Sequence, residues 1–305
     1  MRYKDRTGKE VCANGQQDVF LQKMYGTALG RKLLSVLVQP VVSRIAGRFM
    51  DSGLSAVLVS PFVQKNHIDL SQYEKKEFTS YNDFFTRKIR PSSRPFAEAA
   101  EAFTAPCDSK LSVYPITEEA QFCIKDTQYT MESLTRSKRV AKEYEGGILC
   151  VFRLTVDDYH RYAFVDDGEL SREFHIPGVY HTVNPVAGEY YPIYKENTRD
   201  QIMNISTPSI SGVSREFCIQ KSRHFGHLLL MEVGALLVGR IVNHDIEQTV
   251  SRGEEKGYFE FGGSTVIVAV QAGQVRIDED IWQNSAEGIE TVVKQGEKIG
   301  TGLKA

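Results

Sequence analysis

The sequence predicts an α+β fold, with an N-terminal helical region resting on a β-rich, mainly antiparallel core. Two observations carry that expectation. An amphipathic, basic stretch occupies Lys23 to Met50, and beyond Phe103 the chain becomes a series of short runs rich in Val, Ile, Phe and Tyr, mostly separated by Gly, Pro or Asn. The 305 residues carry 37 Lys+Arg against 39 Asp+Glu, a net charge of −2. That length corresponds to one large domain or two, and the near-neutral balance gives no general attraction for nucleic acid.

Taken in order, the first twenty residues are polar and lack the apolar centre of a secretory signal, so no export is expected. The cysteines (Cys12, Cys107, Cys123, Cys150 and Cys218) form no C-x-x-C pair, and a reducing compartment is expected. From Lys23 to Met50, Leu29, Leu33, Val36 and Leu37 fall at helical spacing before a break at Pro40, which reads as two short amphipathic helices. Lys23, Arg31, Lys32, Arg44 and Arg48 have no acidic residue among them. This one-sided charge fits a membrane surface, and the apolar stripe equally fits a cap packed on the rest of the protein. The uncharged run Leu33 to Ser43 is too short to span a bilayer.

Ser80 to Phe96 reads as a helix end followed by a Pro/Ser linker, and the boundary is placed near residue 100, dividing a region 1–100 from a catalytic region 101–305. Strands are expected in 148–156, 181–194, 228–242 and 264–272. The final stretch, 273–303, continues in a rhythm of short strands and glycine turns.

Among residues able to carry chemistry, Gly262 and Gly263 precede Ser264 at the mouth of an apolar strand. This is either a plain glycine turn or a site where Ser264 attacks its own preceding peptide bond, since glycines leave the backbone open to a nucleophile. The attack needs a base. His160, in TVDDYHRYAFVDDG, is a candidate and is also a natural structural hydrogen-bonder, while Asp108, after Pro106, is either a turn residue or a carboxylate that orients the base. No H-E-x-x-H, C-x-x-C, P-loop or dinucleotide fingerprint points to zinc, ATP or NAD, and no metal is expected.

An ordered set of segments resembles the phosphatidylserine decarboxylases, pyruvoyl-dependent enzymes made as self-cleaving proenzymes, in the bacterial type II branch. The segments are YGTALGRKLLSVLV, FTSYNDFFTRKIRPSSRPF, APCDSKL, VDDYHRY, IPGVYHTVNPVA, ENTRD, MEVGALLVGRI and RGEEKGYFEFGGSTVIV. The resemblance implies cleavage between Gly263 and Ser264, with Ser264 as nucleophile and precursor of a covalent pyruvoyl group, assisted by Asp108 and His160. It implies an N-to-O shift to an ester, β-elimination, and loss of ammonia to leave the ketone, which condenses with the substrate amine and withdraws electrons as CO2 departs. Two chains from one proenzyme, phosphatidylserine as substrate, phosphatidylethanolamine as product and a peripheral place on the cytoplasmic face of the membrane are implied as well. A homo-oligomer is compatible with all of this. The C-terminal rhythm resembles the hybrid sandwich of lipoyl and biotinyl domains.

The chain departs from the family pattern at Ser109, where the family often has Gly, and at Ala163, where many members carry a second histidine used in self-cleavage. Either His160 then serves both steps or His181 takes the first. A pyruvoyl decarboxylase acting on another amino-acid substrate, or a lipid-binding relative that does not process itself, are the alternatives.

Overall fold

The computed structural model describes residues 2–12, 27, 40–117, 122–124, 127–171, 173–176, 215–234, 241–245, 248–260 and 264–303. Its centre is a large sheet whose strands run, edge to edge, Thr249–Val250, Gly168–Leu170, Arg215–Ser222, His227–Val233, Ser264–Val270, Ile148–Leu154, Ser109–Pro115, Glu290–Val293, Arg2–Lys4 and Glu10–Cys12. Every pairing is antiparallel except that of Arg2–Lys4 with Glu290–Val293.

Ser264–Val270 lies in the middle of this sheet and is buried along its whole length. Side chains alternate across a strand, so Val266, Val268 and Val270 enter one core cluster while Ile267 and Ala269 enter the other. Burial on both faces explains why STVIVAV reads as an unbroken apolar run. The first cluster is closed by two small sheets, Ile241–Asn243 with Glu255–Phe259 and Arg161–Ala163, and Val275–Ile277 with Lys298–Gly302 and Ala102–Thr104. The second is covered by the short helices Met131–Thr135 and Lys138–Glu143.

The second of the two short helices expected around the break at Pro40 is present as Pro40–Asp51, where proline's fixed φ and missing N–H suit a first helical position. The earlier helix expected before it, and the strand expected at 181–194, lie outside the described residues. A 3-10 segment, Gly53–Leu58, and helices Val59–Lys65 and Tyr81–Phe85 complete this layer. The buried Ser55 hydroxyl accepts from the Tyr81 backbone N–H at 2.8 Å, and Phe62, Phe78, Tyr81 and Phe84 meet edge to face.

Two further differences are local. Residues 2–12 supply edge strands of the large sheet, although their polar sequence gives no strand signal. A helix, Glu279–Ala286, interrupts the strand-and-turn rhythm at the C-terminus; Ile281 anchors it in the core.

Gly147 precedes the Ile148 strand where the chain passes closest to its neighbour. A Cβ there would lie 2.0 Å from the Val270 carbonyl oxygen. Gly147→Ala is therefore expected to destabilise the fold by about 2 kcal/mol or more, read as a lowered urea midpoint, since the obstacle is backbone and cannot swing aside.

Candidate active site

The chain crosses between the large sheet and the Ile241–Asn243 sheet twice at one corner. It leaves Ile148–Leu154, turns through 155–160 and enters Arg161–Ala163; it leaves Glu255–Phe259 and returns as Ser264–Val270. The crossings are tied at both ends. Leu154 pairs with Ser264, and the Phe259 N–H donates to the His160 carbonyl at 2.9 Å. Sheet pairing thus brings Ser264 and His160, 104 positions apart by 264 − 160, to the same corner. Both are fully buried. Gly262, Gly263 and His181 lie outside the described residues.

The turn carrying His160 is fastened by Asp158. Its carboxylate accepts from the Thr155 N–H (2.7 Å), the Thr155 hydroxyl (2.8 Å) and the buried Lys110 ammonium (2.8 and 2.7 Å). Its backbone carbonyl lies 3.0 Å from His160 Nδ1. Nδ1 must donate there, because a carbonyl only accepts, so Nε2 is left as the lone-pair nitrogen. Among the described residues the buried Nε2 has no hydrogen-bond partner. The ring lies 4.0 Å from the Phe85 ring, centre to centre, at a 38° tilt. Burial, opposed only in part by the Asp158 charge, pushes the imidazole down to about 3, so it rests neutral.

Asp108 does not make the hydrogen bond to His160 that an orienting carboxylate would. Oδ1 accepts from Arg94 Nε and the Gln295 N–H, both at 2.9 Å; Oδ2 accepts from Arg94 Nη2 at 2.7 Å and Lys294 Nζ at 3.2 Å. Each oxygen already has two donors, which is its full capacity. Burial alone would raise this carboxyl's pKa; the Arg94 hydrogen bond and the charges of Lys294 and Arg94 outweigh it and hold it below the usual carboxylate range. The orienter of His160 is a backbone carbonyl instead.

Sequence reasoning also missed Glu232, Lys256 and Arg87. Glu232 stands opposite Val266 in register, so it shares a sheet face with Val266 and, two residues on, Ser264. Lys256 crosses from the small sheet to meet it at 2.8 Å, with both side chains buried. A lone acid inside the apolar run LLLMEV was the readable signal for that pair. Arg87 is buried between aromatic rings in FFTRKI. Among the described residues no cluster of His, Cys, Asp and Glu could hold a metal ion.

The comparisons with known proteins agree on one family. The phosphatidylserine decarboxylase family model matches residues 81–301. The chain is 42% identical over 288 residues to phosphatidylserine decarboxylase proenzyme 2 of Clostridium acetobutylicum, covering 94% of this chain and 92% of that protein. It is 37% identical to a phosphatidylserine decarboxylase proenzyme of Ruminiclostridium cellulolyticum, over 95% and 93% of the two chains, and 34% identical to one of Clostridium novyi, over 94% of each.

The buried neutral imidazole has a measurable cost in acid. The unfolded chain binds a proton below about pH 6.5 that the folded His160, held near 3, refuses, so stability falls as pH drops from 6.5 toward 3 and is unaffected by this group above that window. The expected slope is up to about 1.4 kcal/mol per pH unit. Denaturation of Ser264→Ala compared with Ser264→Ala/His160→Asn between pH 7 and 5 isolates it, and equal slopes would refute the burial of a neutral ring.

Proposed function

The chain belongs to the phosphatidylserine decarboxylase family, and from that premise we propose how it converts phosphatidylserine to phosphatidylethanolamine and CO2 after cutting itself between Gly263 and Ser264. The observation that carries the reading is the unpaired Nε2 of His160 in the corner that also holds Ser264. A hydroxyl that must lose its proton and a neutral acceptor with no other partner are the two components of serine activation.

Ser264 Oγ attacks the Gly263 carbonyl and His160 Nε2 takes its proton. Returning that proton to the departing Ser264 nitrogen completes the exchange of an amide for an ester. His160 Nε2, neutral again, then takes the Ser264 α-proton as the Cβ–O bond breaks; residues 1–263 leave as a carboxylate, and water hydrolyses the dehydroalanine left at 264 to the ketone, releasing ammonia. Asp158, whose charge favours protonation of this ring, stabilises the transient imidazolium. Asp108, occupied by Arg94, acts by holding Gln295 and Lys294 in place.

The residues present fit a pyruvoyl group at position 264. Strand pairing from Thr265 onward anchors the new chain end, and the orphaned Nε2 faces no competing partner. Such a group supplies the electron-withdrawing ketone for decarboxylation. His160 is then the proton donor to the carbon that loses CO2, and the apolar cluster behind Ser264 excludes water.

The helical layer is the proposed membrane contact. Ile45, Phe49, Leu54 and Val57 are 63, 44, 76 and 71% exposed, close together on Pro40–Asp51 and Gly53–Leu58, with Arg48 exposed beside them. Among the described residues no helix is long and apolar enough to cross a membrane, so a peripheral contact on the cytoplasmic face fits this surface.

Intact mass gives the test of processing. Ser264→Ala is expected to remain one folded, inactive chain, and His160→Ala to slow both cleavage and turnover by about 100-fold or more. Normal cleavage in His160→Ala with an uncut His181→Ala would move the processing role to His181. For the membrane contact, Leu54→Asp/Val57→Asp is expected to lower sedimentation with anionic vesicles about tenfold, each residue contributing on the order of 1 kcal/mol or more of burial. Unchanged sedimentation would assign the patch to another use.

A further inference from the structure

The segment Phe84 to Ile89 runs along the His160 turn and touches it at successive points. Phe85 stacks on the imidazole, the Thr86 carbonyl accepts from Arg161 Nε at 2.8 Å, and the Ile89 N–H donates to the Tyr159 hydroxyl at 3.3 Å. Between these contacts lies Arg87, which is 2% exposed. Its guanidinium sits 4.6 Å from the Tyr73 ring centre and 4.5 Å from that of Phe84. Among the described residues no carboxylate lies within ion-pair distance of it.

What the guanidinium meets instead is backbone. Nη1 donates to the Phe84 carbonyl at 3.2 Å, and Nη2 lies 3.4 Å from the Asp157 carbonyl, 3.3 Å from the Asp158 carbonyl and 3.3 Å from the Tyr73 hydroxyl. The Asp158 carbonyl is the same oxygen that receives His160 Nδ1. A buried cation without a carboxylate is costly, and here the aromatic faces and carbonyl dipoles alone offset its desolvation. A methyl-bearing or apolar side chain would fill the slot between the two rings without that cost, but it could not hold the carbonyls.

We propose that Arg87 is a positioning residue for the decarboxylase: by gripping the Asp157 and Asp158 carbonyls it holds the acceptor for His160 Nδ1 in place, and so fixes the imidazole in the tautomer that presents Nε2 as a base. The inference rests on the reading of His160 given above. Released from Arg87, the peptide groups of the turn can rotate, the Nδ1 contact is lost and the ring drifts toward the Nε2–H tautomer that free imidazole favours. The charged groups acting on the ring are Asp158, which favours its protonated form, and Arg87 and Lys110, which disfavour it. Losing Arg87 therefore changes tautomer and orientation while Asp158 and Lys110 remain. Because Arg87 belongs to the helical region, the same contact makes the geometry of the catalytic turn depend on how that region sits.

The test reads the tautomer directly. In uncut Ser264→Ala protein labelled with 15N-histidine, with His160→Asn identifying the signals, His160 is expected to show a protonated Nδ1 and a bare Nε2. Adding Arg87→Met should move both nitrogens toward the values of exchanging tautomers, and Arg87→Lys, whose ammonium reaches fewer carbonyls, should fall between. In the cleaved enzyme kcat is expected to drop about tenfold for Arg87→Met and about threefold for Arg87→Lys, with KM within twofold. Unchanged nitrogen signals in both variants overturn the proposal, and if Arg87→Met does not fold, unchanged signals in Arg87→Lys suffice. Signals that move while kcat holds leave Arg87's role standing and overturn the part given to His160 in turnover.

Discussion

Lys110 and Asp158 form an ion pair inside the protein, their side chains only 7 and 6% exposed, and the catalytic turn hangs on it. Desolvating two charges costs about as much as their attraction returns, so such a pair adds little net stability over an apolar substitute. What it adds is direction. An apolar contact between the Ser109–Pro115 strand and the 155–160 turn would tolerate many arrangements, whereas the ammonium demands the Asp158 carboxylate at one place. Once the carboxylate is fixed, with Thr155 closing the turn on the other side, the Asp158 carbonyl is brought to where Arg87 meets it. The tautomer of His160 follows from that carbonyl.

The same turn is one of several points at which the helical layer is tied to the β core. Arg87 reaches the Asp158 carbonyl from one side, Arg94 closes on Asp108 from another, and the Ala97 N–H donates to the Gly296 carbonyl at 3.0 Å. Phe84, Phe85 and Tyr81 form the hydrophobic base from which these contacts project, and Met50, Val59 and Phe62 of the preceding elements pack against that base. The surface proposed to meet lipid through Leu54 and Val57 is thus joined by continuous packing to the ring proposed to handle protons.

The sequence showed the parts of this arrangement that depend on runs and spacing. Strands buried on both faces, Ile148–Leu154 and Ser264–Val270, announce themselves as apolar runs bounded by glycine. Short polar strands at the end of a sheet do not, which is why Arg2–Lys4 and the edge strand Glu10–Cys12 gave no signal, and EDIWQNSA buries only Ile281 and Asn284, too little for a helical period to emerge. Ser264 and His160 were legible through their motifs. The partner of His160 was not, because a backbone carbonyl belongs to every residue and a sequence cannot say which one will be turned inward. The partners of Asp108 were hidden for a related reason: Arg94 and Lys294 carry no motif that marks them, and only the fold brings them to its oxygens.

A base held near pKa 3 is a weak proton acceptor at neutral pH, and general base catalysis is most efficient when the pKa lies close to the working pH. That mismatch is tolerable for a step each molecule performs once. Self-cleavage needs no turnover rate; it needs the serine proton to have one destination, and a neutral nitrogen with no other partner provides it. On the proposed route, cleavage turns Ser264 from a residue within the chain into a chain end beside this ring. Water and a charged lipid headgroup entering there reduce the desolvation that depresses the ring and move its pKa upward, toward the range where it can donate a proton in every cycle. On the proposed reading, the burial of His160 in the uncut chain and its use as an acid after cleavage are therefore successive states of one ring, separated by the broken peptide bond.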